Sequence, residues 1–194
     1  MSEERWLWFI AGPNGAGKST RAREFFAGLG EIVNPDEIAS EMSASTPDEG
    51  LLAAGRAAIE HRRQLLTSGR TFSIETTLSG LTLFRFAREA SQEGWKIGLL
   101  YVGLRSAEQA IERVQLRVSS GGHNVPPDDV RRRYARSLAN LATFVPLADH
   151  AVFIDNSARR PRLLLEVIES RVSFRAKRLP SWLTKSLPRA TSPS

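Results

Sequence analysis

The stretch from Gly12 to Thr20 restricts this chain more than any other. Gly12-Pro13-Asn14-Gly15-Ala16-Gly17-Lys18-Ser19 fits G-x-x-x-x-G-K-[ST] at every fixed position. Its context fits as well. The run Arg5 to Ala11 (RWLWFIA) reads as a short buried strand, and a helix is expected from Thr20 to Leu29. Glycines in such a loop let backbone N–H groups and the helix N-terminus wrap around phosphate oxygens. Lys18 is expected to reach the β- and γ-phosphates and Ser19 to ligate Mg²⁺, with Thr20 opening the helix behind them. The expected ligand is ATP with Mg²⁺.

A strand feeding a phosphate loop also constrains the rest of the chain. Ile32-Val33 is a minimal second strand that runs into Asn34-Pro35-Asp36. Apolar residues recur at three- and four-residue steps from Pro47 to Ser68, a helical pattern that Gly69 ends. Thr71 to Thr77 is strand-like, Leu81 to Glu93 an amphipathic helix, and Lys96 to Leu104 (KIGLLYVGL) a buried strand. Ser106 is placed to cap a helix from Ala107, and Pro126-Pro127-Asp128 to start another through Leu141. Ala151 to Ile154 is a last buried strand, and Pro161 to Ser170 is expected to be a final helix. Alternating strands and helices imply an α/β fold: a three-layer P-loop NTPase sandwich with an approximately five-stranded parallel sheet, helices on both faces and a small helical lid. Residues 1–170 are expected to form one domain with its lid around 113–136. Residues 171–194 read as a basic C-terminal appendage, partly disordered.

Composition narrows the chemistry. The chain has 194 residues and no cysteine, which excludes thiolate nucleophiles, thiolate metal sites and disulfides. No apolar run is long enough for a membrane span, and nothing reads as a signal peptide, so a cytoplasmic protein is expected. The net charge of +6 is concentrated in the tail, at Arg171, Arg175, Lys177, Arg178, Lys185 and Arg189, and again in residues 113–136. A basic tail is most often solvated, and arginines near a phosphate loop have triphosphate to neutralise, so nucleic acid and membrane are not the expected partners.

A triphosphate site does not name a reaction. The base-reading N-K-x-D of regulatory GTPases is absent, and Leu78-Ser79-Gly80 is only a fragment of a transporter signature. A kinase needs an acid for a hydroxyl proton, groups that hold the acceptor, and mobile arginines. Asp36, after the second strand, suits either the base or a helix N-cap. Glu75 ends a strand that is otherwise apolar, where a carboxylate is costly unless a ligand or metal meets it. Arg113, Arg117, Arg132 and Arg133 flank Gly121-Gly122-His123-Asn124, a glycine hinge between two helices.

The segments GPNGAGKST, NPDEIA, SIETTLSG, RVxxRVxxGGHNVPxxDVRRRYxRSLxNL and FIDNS together resemble the zeta-toxin family of P-loop kinases, from about Arg5 to Ser157. The resemblance implies transfer of the ATP γ-phosphoryl to a hydroxyl of a nucleotide sugar, as in the 3′-phosphorylation of UDP-N-acetylglucosamine. It implies Asp36 as base and Glu75 and Thr77 as acceptor contacts, from an E-G-T motif that here reads Glu75-Thr76-Thr77. Lys18, Arg117 and Arg132 fall to catalytic charge stabilisation, Arg117 and Arg133 to nucleotide contacts, and Asn156 to a base contact. An antitoxin protein is a candidate partner. Alternatives are a different acceptor, such as a nucleoside or an antibiotic, or a nucleotide-dependent module that binds an antitoxin or nucleic acid.

Overall fold

Strands buried on both sides form the centre of the molecule. The computed structural model describes residues 4–25, 30–34, 47–122 and 124–191. Asp36 and His123 lie outside the described residues. In β1 (Trp6–Ala11), Leu7, Phe9 and Ala11 face one core while Trp8 and Ile10 face the other. Two-sided burial of this kind is what a central parallel strand demands. β2 (Glu31–Val33), β3 (Phe72–Thr76), β4 (Lys96–Gly103) and β5 (His150–Asp155) run parallel to it. Two further strands, β6 (Arg162–Ile168) and β7 (Arg171–Arg175), continue the sheet antiparallel beyond β5. The order is β2-β3-β1-β4-β5-β6-β7.

The α-helices among the described residues are α1 (Lys18–Phe25), α2 (Pro47–Ser68), α3 (Thr82–Gln92), α4 (Ala107–Ser119), α5 (Pro127–Phe144), α6 (Ser181–Ser186) and α7 (Pro188–Thr191). Ser106 caps α4 by accepting a hydrogen bond from the Gln109 amide at 3.1 Å, which contributes about 1 kcal/mol. Pro127 opens α5 with Asp128 and Asp129 in its first turn, where fixed φ and negative charge both suit a helix start. α2, α3 and α6 cover one face, and α1 and α4 the other. α5 belongs to both: Val130 joins one core, while Leu141 and Phe144 join the other. Its Tyr134 and Asn140 donate to the Leu104 and Leu78 carbonyls, just beyond β4 and β3, so it passes over the carboxyl ends of these strands.

The sheet departs from expectation at its C-terminal end. In place of the helix expected over 161–170, residues 162–168 form β6, which buries Leu164, Leu165 and Val167. Leucines favour helix locally, and pairing with β5 overrides that preference. The Glu169-Ser170 turn beyond it has positive φ at both residues, 47° and 64°. Two-residue hairpins prefer this conformation, usually with Asn-Gly, so the usual turn signal is missing from the sequence. Nor is the segment after residue 170 only an appendage: it supplies β7 and α6, whose Trp182 and Leu183 are 4% and 0% exposed. Burial of each is worth about 1.5–3 kcal/mol. No helix among the described residues is long and apolar enough to cross a membrane.

Candidate active site

The loop after β1 turns at the carboxyl end of the sheet, where open α/β folds collect ligands. Its glycines are needed there for space and for conformation. A Cβ at Gly12 would lie 2.2 Å from the Val102 carbonyl oxygen, and φ is 143°. At Gly15, φ is 70° and a Cβ would approach the Ala110 carbonyl oxygen at 2.8 Å. Pro13 accepts from the Ala16 amide at 3.2 Å and from Lys18 Nζ at 3.3 Å, so the lysine folds back over its own loop.

Register then brings a carboxylate to the loop. Glu75 sits opposite Ile10 in the β1–β3 ladder, one step before the end of each strand. Its Oε2 accepts from Ser19 Oγ at 2.6 Å, and its Oε1 lies 3.8 Å from Lys18 Nζ. Side chains of Lys18 and Glu75 are 9% and 13% exposed, so the pair is held in a medium where charge is felt strongly. Asn14, Gly15, Lys18, Asn34, Glu75, Thr76, Thr77, Arg117 and Arg133 line one cleft of about 220 Å³. A larger depression of about 580 Å³ lies at the opposite, amino end of the parallel strands, lined by Arg88, Ser91, Asp149 and Glu169 among others. It has no phosphate loop, whereas the smaller cleft is lined by one.

Each arginine of the expected lid has a distinct place. Arg117 is in the last turn of α4, which ends as Gly121 and Gly122 donate to the Val118 and Arg117 carbonyls at 3.0 and 2.9 Å. A Cβ at Gly122 would lie 2.6 Å from Arg117 Cγ, so a bare glycine makes room for the stem that enters the cleft. Arg133 on α5 lines the cleft, whereas Arg132 does not and pairs with Asp129 at 2.8 Å on the surface. Successive helical residues point about 100° apart, so only one of the two can face inward. Arg113 packs against Gly15 on the outer side of the loop. Burial, then repulsion from Arg21 and Arg105, holds its guanidinium below the ordinary value, while Asp155 opposes the shift.

The cleft wall at Thr76 and Thr77 rests on an unusual turn. Leu78, fully buried, has φ of 56°, a region where non-glycine residues cost on the order of 1–3 kcal/mol. Its amide donates to Thr76 Oγ1 at 2.9 Å, its carbonyl accepts from Asn140 Nδ2 at 2.8 Å, and Thr77 and Ser79 hydroxyls meet at 2.8 Å. Asn140 lies on α5, seven positions after Arg133, two helical turns further along the same side. Ser137, between them, is buried and bonds Tyr101 at 2.9 Å. One helix thus carries an arginine into the cleft and pins the turn across from the loop. Sequence reasoning does not single out Asn34, Thr76 or Asn140. The first two lie at strand ends, a signal that could have found them; Asn140 carries none.

Asn156, expected as a base contact, lies directly behind the phosphate loop. It is 5% exposed, and its Nδ2 donates to the Ala16 carbonyl at 2.8 Å. A Cβ on Gly17 would lie 2.9 Å from that same nitrogen. The asparagine after β5 braces the phosphate loop from beneath. Thr20 is exposed on the first turn of α1.

The groups present fit ATP and a hard divalent cation. Among the described residues the buried Asn14 Oδ1 has no hydrogen-bond partner, and buried acceptors of this kind are usually satisfied. Ser19 and Glu75 bring two oxygen donors together, the type Mg²⁺ prefers, usually with water retained.

No family model matches the chain. Its α/β fold is nevertheless shared with several solved structures. A chain of the AvrRxo1-ORF1:-ORF2 crystal structure with ATP superposes with a TM-score of 0.73 at 18% identity, covering 97% of this chain and 64% of that one. A chain of the PezAT chromosomal toxin–antitoxin system of Streptococcus pneumoniae gives 0.59 at 17% identity, covering 82% and 73%. The present chain thus spans less than two thirds of the AvrRxo1 chain, and at these identities the likeness is one of fold. By sequence, the chain belongs to the same family as an uncharacterized protein of Haemophilus influenzae, 35% identical over 127 residues, which are 65% of this chain and 90% of that protein.

Proposed function

We propose that this chain is an ATP-dependent phosphotransferase of the zeta-toxin type that acts on a small-molecule hydroxyl. One observation carries the reading: the phosphate loop, the Ser19–Glu75 contact and two arginines, Arg117 and Arg133, open into one cleft whose far wall is hydroxyl-bearing, at Thr76 and Thr77. The acceptor oxygen forms a bond to the γ-phosphorus as the bridging bond to the β-phosphate breaks, and ADP leaves. The acceptor proton passes to a carboxylate, for which Asp36 is the candidate, at a position outside the described residues. Lys18, Arg117 and Arg133 offset the charge spread over the transferring group. Mg²⁺, held near Ser19 with Glu75 supporting its water shell, would supply further charge neutralisation. The family resemblance favours a nucleotide sugar such as UDP-N-acetylglucosamine as acceptor.

AvrRxo1-ORF1:-ORF2 is a complex and PezAT a toxin–antitoxin system, and we extend the proposal to an antitoxin partner for this chain. The test is a metabolite screen with γ-labelled ATP that includes UDP-N-acetylglucosamine. Label in an acceptor, lost in Asp36→Asn with ATP binding retained, supports the reading. Bound ATP with no labelled acceptor across the screen rejects it. Growth arrest on expression that Lys18→Ala abolishes would support toxicity.

A further inference from the structure

The two edges of the sheet are finished differently. β2 is only three residues long, so it presents little free ladder. β7 has five residues, all exposed, and no strand among the described residues pairs with its outer side. A register shift leaves Ser173 unpaired between Val172, opposite Val167, and Phe174, opposite Glu166, which sets Phe174 and Ile168 on one face and Val172 on the other. These three apolar side chains are 41%, 42% and 48% exposed.

Beyond Glu169 in the turn, charge on β7 and the residues that follow has a single sign. Residues 171–194 contain Arg171, Arg175, Lys177, Arg178, Lys185 and Arg189 and no Asp or Glu. The nearest carboxylate across the ladder, Glu166, is already engaged: Ser173 Oγ donates to its Oε2 at 2.8 Å, and His150 Nε2 meets its Oε1 at 2.9 Å. Arginines alone can guard an edge against stray pairing. A guarded edge, however, has no use for Val172, Phe174 and Ile168 in the open. Exposed main chain, apolar side chains on both faces and cationic flanks are together what strand addition uses.

We propose that β7 is a docking edge for an extended acidic segment of a partner protein, which joins the sheet as an additional strand. A second copy of the chain fits poorly. Two β7 edges brought together would each carry Arg171 and Arg175 with no acidic residue between them, and like charges across a ladder destabilise it. In the sheet order β7 stands four positions from β1 and the phosphate loop. A partner docked there leaves the cleft open, so strand addition and ATP binding proceed independently.

The test uses the full chain and a short labelled peptide of alternating Glu and Val, read by fluorescence anisotropy, with hydrogen exchange at residues 171–175. Saturable binding is expected, with β7 amides gaining protection and affinity unchanged by ATP. Binding should weaken by about tenfold or more in Arg171→Glu/Arg175→Glu. It should weaken similarly for a peptide N-methylated along one edge, a control that needs no protein variant. Absence of saturation, equal binding of the N-methylated peptide, or equal binding of a Lys/Val peptide overturns the proposal. So does protection of β7 by an oligonucleotide with a steep salt slope, or by concentration-dependent dimerisation alone. None of these outcomes depends on phosphoryl transfer.

Discussion

The two halves of the cleft are built by opposite means. The donor half is a continuous run in which glycines occupy the positions with positive φ, at residues 12, 15 and 17. The acceptor half bends at Leu78, a fully buried leucine in the same rare region of backbone space. Its turn survives because Asn140, 62 positions away, holds the carbonyl. A loop that must grip phosphate with its own amides can be specified locally. A turn that must present side chains to a particular acceptor can be held from outside, by a helix that also carries Arg133 into the cleft.

The sharpest way to break the donor half is Lys18→Ala. Phosphoryl transfer should fall by roughly a thousandfold, while thermal melting shows a folded protein. An undiminished rate would remove the loop from the chemistry. Next comes the pair Arg133→Ala and Arg132→Ala. The first should lower kcat/KM by about a hundredfold. The second should change it less than about twofold, because the exposed Arg132–Asp129 pair contributes only about 0–1 kcal/mol. Reversal of that order would mean that α5 turns a different side to the cleft.

Asn140→Ala tests the acceptor half. It strips the donor from the Leu78 carbonyl, at a cost of about 1–3 kcal/mol in stability, visible as a lower urea midpoint. The acceptor KM should rise by about tenfold while the ATP dissociation constant stays within about twofold. Equal losses for both ligands would mean that the two halves are one unit. The smallest effect belongs to a region outside both. Ser173 first, then His150, holds the Glu166 carboxyl below its ordinary value of 4.5. A depressed carboxyl contributes stability above that ordinary value, and the contribution is lost as pH falls through the lower folded value. Urea melts between about pH 3 and 7 should therefore show a shallower acid loss in Glu166→Gln, with phosphoryl transfer at neutral pH unchanged.

Legibility followed the distance over which each feature is built. Strands β1 and β4 and the cap at Ser106 are readable because periodicity and capping act within a few residues. Glu75 stands out because a carboxylate ending an apolar strand demands a partner. That the partner is Ser19 comes from the β1–β3 register, which pairs segments far apart in the chain. β6 reads as a helix because a leucine-rich segment carries no record of the strand beside it. The turn between β6 and β7 reaches positive φ without glycine, so the usual marker is missing. Arg132 and Arg133 are adjacent and chemically identical, and only the rotation of α5 separates them.

Local sequence by itself determined the phosphate loop, because its glycines, lysine and serine fall within one short run and the backbone freedom the loop needs is intrinsic to glycine. It also determined the α/β order of the sheet's parallel part. Tertiary structure alone decided which arginine enters the cleft, that Asn156 braces the loop rather than facing outward, and that α5 spans both halves of the site. Those outcomes depend on strand register and on where a helix crosses the sheet. Both are set by contacts among residues tens of positions apart, which no local pattern encodes.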